Sequence, residues 1–256
     1  MKQIESRANQ VFKRAQKVIS GNSNEKLIVV EGHKLLDEAI KSGATPEIIF
    51  VEAPQALCGK EELNRCSFQI CRSLFRELST VQTPGEIIAF LAPPPLPDID
   101  FVLQKSSMIL VFDRLQDPGN IGTIFRTAEA MGADLVVMLK GCCSPFNPKV
   151  IRAAMGSTFR LPFAAEIKQT ALLALLKKHG ITAICADMSG ENLPEFKFPS
   201  RTALFFGQEG QGLNEEILQE CNSRLAIPMQ GQVESLNVAT SAAICLYEWA
   251  RNRRGH

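Results

Sequence analysis

Five short, almost wholly apolar runs in the C-terminal half constrain this chain more than any other feature. They lie at residues 108–112, 135–139, 181–186, 203–206 and 224–227. A strand with one face in water alternates apolar and polar side chains, whereas a continuous apolar run is buried on both faces. Apolar residues recur at helical spacing between these runs, near residues 120–131, 148–155, 170–178, 214–220 and 234–250. Strands alternating with helices predict a parallel sheet covered by helices on both sides. Ligands of such sheets bind beyond the C-terminal strand ends.

A proline-rich segment precedes this half. Pro93, Pro94, Pro95 and Pro97 fall within five positions, which can continue neither a helix nor a central strand. They favour a stiff, extended linker. The expected division is a small N-terminal α/β domain at 1–91, a linker at 92–100 and a larger domain at 101–256. Within the first, residues 2–19 read as one polar, basic helix. Residues 32–42 read as a second helix, with Leu35, Leu36, Ala39 and Ile40 on one face. Strands are expected at 27–30, 48–51, 68–70 and 87–90. No catalytic constellation is visible there.

Composition narrows the class. With 256 residues, 45% hydrophobic and 21% charged, the chain reads as an ordinary soluble globular protein. It has no apolar run long enough for a bilayer and no secretory signal, so a cytoplasmic location and no membrane partner are expected. Eight cysteines include an adjacent pair, Cys142 and Cys143, but no C-x-x-C, and there are only three histidines. That spacing predicts reduced, mostly buried thiols and no metal site. The net charge of +1 advertises no global field for nucleic acid. Local clusters do better. No acidic residue separates Asp134 from Glu166, a stretch holding Lys140, Lys149, Arg152 and Arg160. The N-terminal segment carries Lys2, Arg7, Lys13, Arg14 and Lys17, and the C-terminal end Arg251, Arg253 and Arg254. A charge run is usually a solvated face. Three in a near-neutral chain suggest an RNA surface, with Lys13, Arg14, Lys149, Arg152 and Arg160 as candidates.

Three motifs follow strand candidates. The first, Asp-Pro-Gly-Asn-Ile-Gly-Thr-Ile-Phe-Arg-Thr-Ala from Asp117 to Ala128, is a turn running into a helix with Asn120 as its expected N-cap. Ile121, Ile124, Phe125, Ala128 and Met131 form an apolar stripe. At ~100° per residue, Arg126 sits roughly 140° from Ile121 and points away from the core. An ordinary strand-turn-helix with a surface arginine satisfies the same pattern. The second motif places Gly207, Gly210 and Gly212 after an apolar strand, with Glu209 among them. Glycine allows positive φ and close backbone approach. The spacing is neither the dinucleotide fingerprint nor a phosphate loop, and a plain tight loop also fits. In the third, a strand ends at Ile227-Pro228-Met229 and a helix is expected from Glu234. Ser235 and Asn237 would then lie in its first turn, where free amide groups meet a ligand or serve only as caps.

Together the three motifs, in this order, resemble the SpoU (TrmH) family of RNA ribose 2′-O-methyltransferases, within the SPOUT superfamily. The resemblance covers about residues 108–250. The segment Val30-Glu31-Gly32-His33-Lys34-Leu35-Leu36 is similar, more loosely, to the substrate-binding domain often attached to these enzymes. The resemblance implies a parallel sheet flanked by helices with a C-terminal trefoil knot. It also implies a homodimer and S-adenosylmethionine as methyl donor, without a metal. Gly207, Gly212, Ile227, Met229 and Leu236 would line the donor. Asn120, Arg126, Glu209, Ser235 and Asn237 would form the reaction centre, shared across the dimer. Ala154 stands where many members carry serine.

The family proposal makes the Arg126 position the general base. A guanidinium is a poor base, and it serves better to bind an RNA phosphate and stabilise a developing alkoxide, while phosphate or water takes the proton. Ribosomal RNA is favoured as substrate because of the attached N-terminal domain. The alternatives are a transfer-RNA 2′-O-methyltransferase and a non-catalytic RNA-binding relative. A nucleotide-dependent oxidoreductase is disfavoured by the glycine spacing.

Overall fold

The computed structural model describes residues 1–230 and 235–254, leaving aside the side chain of Arg254. The chain divides into two compact units, Met1–Pro95 with Phe146–Arg152, and Leu96–Pro145 with Ala153–His256. Among the described residues no helix is long and apolar enough to cross a membrane.

The first unit comprises β1 (Lys2–Ile4), α1 (Gln10–Ile19), β2 (Ile28–Glu31), α2 (His33–Lys41), β3 (Thr45–Val51), β4 (Ser67–Ile70), α3 (Arg72–Leu78) and β5 (Ile87–Ala92). Its five strands lie in the order β1-β4-β3-β5-β2. The pairs β1–β4 and β3–β4 are parallel, while β3–β5 and β2–β5 are antiparallel. Phe50 packs against Phe12, Phe68 and Phe90, with ring centroids 5.9–6.4 Å apart. The single helix expected over residues 2–19 is corrected. Lys2–Ile4 pairs with Phe68, Gln69 and Ile70. The helix starts only at Gln10, where Asn9 Oδ1 accepts the Val11 N–H at 2.8 Å. Tertiary pairing overrides the local charge pattern.

The remaining elements are α4 (Ile99–Lys105), β6 (Met108–Phe112), α5 (Pro118–Met131), β7 (Leu135–Leu139), α6 (Pro148–Ala154), α7 (Ser157–Arg160), β8 (Phe163–Ile167), α8 (Gln169–Lys178), β9 (Thr182–Asn192), β10 (Thr202–Phe206), α9 (Glu215–Glu220), β11 (Ser223–Ala226) and α10 (Val238–Arg254). By contacts, most of α6 belongs with the first unit. The sheet order is β11-β9-β10-β6-β7-β8, and every pairing is parallel. This is the parallel, helix-flanked sheet expected from the apolar runs. Helix α4 begins at Ile99, inside the expected linker, capped by Asp98 accepting the Asp100 N–H at 2.9 Å.

Two strands depart from expectation. β8 has no counterpart among the apolar runs; it is short and carries Glu166, which has φ +59°. β9 continues past Ala186 through polar residues to Asn192, bulging against β11 between Arg224 and Leu225. Gly190 makes that approach possible: a Cβ there would lie 2.4 Å from the Arg224 carbonyl carbon.

The cysteine expectation is corrected in part. Cys185 on β9 and Cys221, just before β11, form a disulfide with Cα atoms 6.2 Å apart. They are 36 residues apart in sequence, and only the adjacency of the two strands brings them together. The expected burial is corrected too: of the free thiols only Cys245 is buried, and Cys58 and Cys71 are exposed. Burial pushes the Cys142 thiol up to about 11 and Cys245 up to about 12. Among the described residues no cluster of His, Cys, Asp or Glu is placed to hold a metal.

Candidate active site

The site is built where β10 and β11 end, against the middle of β9 at Ala186–Met188, on the crevice side of a parallel sheet. A cleft of about 570 Å³ opens there, within the roughly 300–1,000 Å³ of small-molecule sites. All five donor-lining candidates, Gly207, Gly212, Ile227, Met229 and Leu236, line it, as do Glu209, Ser235 and Asn237. Residues 231–234, including the expected helix start at Glu234, lie outside the described residues.

The glycine loop after β10 is folded on itself. Gln208 N–H donates to the Gly212 carbonyl at 3.1 Å and Gly212 N–H to the Gln208 carbonyl at 2.8 Å. A Cβ on Gly207 would sit 2.2 Å from the Gly212 carbonyl carbon. Gly210 and Gly212 have φ of +83° and +68°, conformations that side chains resist. The close approach at Gly207 is therefore to the loop's own backbone.

Helix α5 carries the first motif. Asp117, rather than Asn120, is its N-cap: Asp117 Oδ1 accepts the Asn120 N–H at 2.7 Å, and Pro118 occupies the first helical position. This corrects the capping expectation and frees the Asn120 side chain. Ile121, Ile124, Phe125 and Ala128 are buried, and Phe125 packs edge-on against Phe112 and Phe163. Gly132, at φ +81°, ends the helix. The third-motif helix α10 begins at Val238, with Asn237 capping it. Asn237 Oδ1 accepts the N–H groups of Ala239 and Thr240 at 3.0 and 3.3 Å. Ser235 and Asn237 thus precede the helix instead of lying in its first turn.

That cap fixes the Asn237 amide, and a network follows. Asn237 Nδ2 donates to Glu209 Oε1 and to Asn120 Oδ1, both at 3.0 Å. Asn120 Nδ2 also donates to Glu209 Oε1. One residue from each motif therefore meets at one carboxylate oxygen. Arg126 is not part of this group. It is exposed on α5, and makes no hydrogen bond or ion pair to any described residue.

Known proteins resemble this chain in sequence and in fold. The sequence model of the SpoU rRNA Methylase family matches residues 107–247. The chain belongs to the SpoU rRNA methylase family. A curated relative, 23S rRNA (guanosine(2553)-2′-O)-methyltransferase RlmP of Bacillus subtilis, is 33% identical over 250 residues, 96% of this chain and 98% of that protein. The SpoU methyltransferase AviRb of Streptomyces viridochromogenes, solved in complex with AdoMet, is 26% identical with a TM-score of 0.83, covering 96% of this chain and 98% of that one. An AdoMet-bound rRNA methyltransferase from Sinorhizobium meliloti superposes with a TM-score of 0.87 over 98% of both chains, at 23% identity. That last likeness bears on fold alone.

The charge of this SpoU-family cleft is informative. Asp187 and Glu209 line it, with no lysine, arginine or histidine among the described lining residues. The Ser189 hydroxyl bonded to Asp187, with Arg224 4.0 Å away, holds the Asp187 carboxyl below its ordinary range. S-adenosylmethionine carries a sulfonium and an ammonium against one carboxylate, so its net positive charge suits these walls. A dinucleotide's pyrophosphate does not. Sequence reading missed Asp187 and the exposed Met188, both on the polar extension of β9.

The RNA-surface candidates separate by partner. Arg14 is bound by Glu25 and Glu47, Arg160 forks onto Glu129 at 2.6 and 2.9 Å, and Arg152 donates to Thr80 Oγ1 at 2.5 Å. The side chains of Lys13 and Lys149 are exposed and meet no described carboxylate. Ala154 is fully buried.

Proposed function

We propose that this protein transfers a methyl group from S-adenosylmethionine to a ribose 2′-hydroxyl of ribosomal RNA. One observation carries the reading: the three motifs converge at Glu209, beside a carboxylate-lined cleft at the ends of the parallel strands. The full-length match to a Bacillus subtilis protein named for ribose methylation of 23S rRNA supports the substrate class.

Bound S-adenosylmethionine supplies a methyl group already activated on sulfur, so the protein's task is to align a ribose oxygen and manage its proton. Gly207, Gly212, Ile227, Met229 and Leu236 hold the donor. Asn120 and Asn237 fix Glu209 by donating to its Oε1, while its Oε2 accepts no hydrogen bond from any described residue. Ser235 adds a hydroxyl at the same wall. Arg126 binds an RNA phosphate and lowers the cost of the developing alkoxide; phosphate or water takes the proton. Its position on the outer face of α5, without a described partner, fits service to the cleft of a second subunit, and the protein is a homodimer on this reading. The C-terminal part of the second unit forms a trefoil knot, and the enzyme is cytoplasmic. The first unit, with Lys13, Arg14, Lys149 and Arg152, and Arg160 in the second, contact RNA.

The test incubates the protein with labelled S-adenosylmethionine and separated RNA fractions from cells lacking its gene. Label is expected in large-subunit ribosomal RNA, at one ribose. Label in transfer RNA alone would move the substrate. Calorimetry showing no S-adenosylmethionine binding would point to a non-catalytic RNA-binding relative.

A further inference from the structure

Two residues that do not line the cleft hold the loop that does. Asp113 directly follows β6, and its side chain is 6% exposed. Its N–H donates to the Phe206 carbonyl at 2.9 Å, where β10 enters the glycine loop. Its Oδ2 accepts the Asn214 N–H at 3.1 Å, just past the loop's exit. Arg114 neutralises this buried carboxylate, with Nη2 3.0 Å from Oδ2 and Nε 3.2 Å from both oxygens. The same Nη2 reaches the Gly212 carbonyl at 3.4 Å. Entry and exit of the loop are thus tied to consecutive residues of another strand end.

The backbone adds a second observation. Arg114 has φ +55°, in the left-handed region that favours glycine. Such strain persists where the surroundings over-determine it. Here the arginine side chain, not the backbone, accounts for the choice, since glycine would relax the turn and lose the ion pair.

We propose that Asp113 and Arg114 are positioning residues, a buried carboxylate and its partly exposed cation that set the Gly207–Gly212 loop and through it the fit of the methyl donor. The pair touches no reacting atom. The consequence for the donor rests on the methyl-transfer reading of the cleft; the clamp itself does not.

The test uses the full chain with Arg114→Gly, Arg114→Lys and Asp113→Asn. Arg114→Gly removes the clamp and leaves Asp113 buried without its cation, so its melting temperature should fall despite the relaxed backbone, and the readouts are taken well below it. Hydrogen exchange at the Gln208 and Gly212 amides is expected to quicken by about tenfold, the loss of one charge-assisted hydrogen bond. The Kd and KM for S-adenosylmethionine should rise by about the same factor, with the KM for RNA unchanged. Arg114→Lys, which keeps the charge without the fork, should fall between. If Arg114→Gly does not fold, Asp113→Asn and Arg114→Lys give the same two readouts. Exchange and donor affinity at parent values in the folded variants would overturn the proposal. A parent protein that binds no S-adenosylmethionine would overturn the methyl-transfer reading instead, and the exchange rates would still decide the clamp.

Discussion

In the first unit Arg7 is paired with Glu77, Arg14 with Glu25 and Glu47, and Lys60 with Asp37, while the exposed Lys13 meets no described carboxylate. The second unit pairs charges too, as in Arg160 with Glu129, yet leaves Arg126 without a described partner and lines its cleft with Asp187 and Glu209. A cation already held by a carboxylate has less to offer a ligand than one without a partner. Asp187 has Arg224 4.0 Å away and Glu209 meets only amide groups among the described residues, so Arg126 and Glu209 are the charges left for a ligand. On the proposed reading, the second unit carries the chemistry and the first contributes weaker, distributed binding.

The strongest test of that assignment is Gly207→Val. Any Cβ there would lie 2.2 Å from the Gly212 carbonyl carbon, so the loop cannot keep its shape. Donor binding should fall by about two orders of magnitude or more, and methylation with it, as expected when backbone must move. RNA binding should hold, because the first unit is unaltered. A parallel loss of RNA affinity in gel-shift assays would erase the division of labour.

Arg126 comes next. Arg126→Lys keeps a positive charge but loses the planar fork, and methylation should drop by about 10²-fold with calorimetric donor affinity unchanged. Near-normal turnover would remove the phosphate-and-alkoxide role. Mixing Arg126→Ala with Gly207→Val subunits sharpens the point. If the arginine serves the partner's cleft, the mixed dimer regains one working site from two dead parents. No recovery after verified subunit exchange would place Arg126 in its own subunit's reaction.

A smaller effect is expected at Asp187→Asn, several-fold on donor affinity, the scale of one partly exposed charge. The Ser189 hydrogen bond and then Arg224 lower the Asp187 carboxyl. Its contribution is therefore complete above the ordinary carboxylate value and is lost only as pH falls below it. Donor affinity should not vary through Asp187 between about pH 6 and 8. A midpoint in that range that disappears in Asp187→Asn would contradict this.

The second unit is the more legible in sequence because its strands are buried on both faces. Met108–Phe112 and Leu135–Leu139 are apolar at every position, and their bounds follow directly from that run. β9 beyond Ala186 is hidden in the sequence, because its polar residues are held by a bulge and by Gly190, which depend on β11. The motifs point to Asn120, Glu209 and Asn237, but not to their sharing one carboxylate oxygen. Nor do they show that Asp117, rather than Asn120, caps α5. In the first unit, Lys2–Ile4 has the polar pattern of a helix start, and only the distant strand at Phe68–Ile70 makes it a strand. Charge patterning is the weakest guide, since it ranks Arg14 and Lys13 as equals.

Those two neighbours offer the finest test of the contrast. Lys13 and Arg14 sit side by side on α1, yet Arg14 is engaged by two carboxylates and Lys13 by none described. The bonds to Glu25 and Glu47 raise the Arg14 guanidinium above its ordinary value, and breaking them to reach a phosphate would leave two carboxylates facing the RNA. Lys13 has no such tie to break. Lys13→Ala should weaken RNA binding a few-fold and reduce the slope of log affinity against log salt by about 0.9. Arg14→Ala should change RNA affinity less, because the guanidinium it removes is already neutralised by Glu25 and Glu47. Equal salt slopes for the two variants would mean that RNA reads the first unit by its cations alone, paired or not.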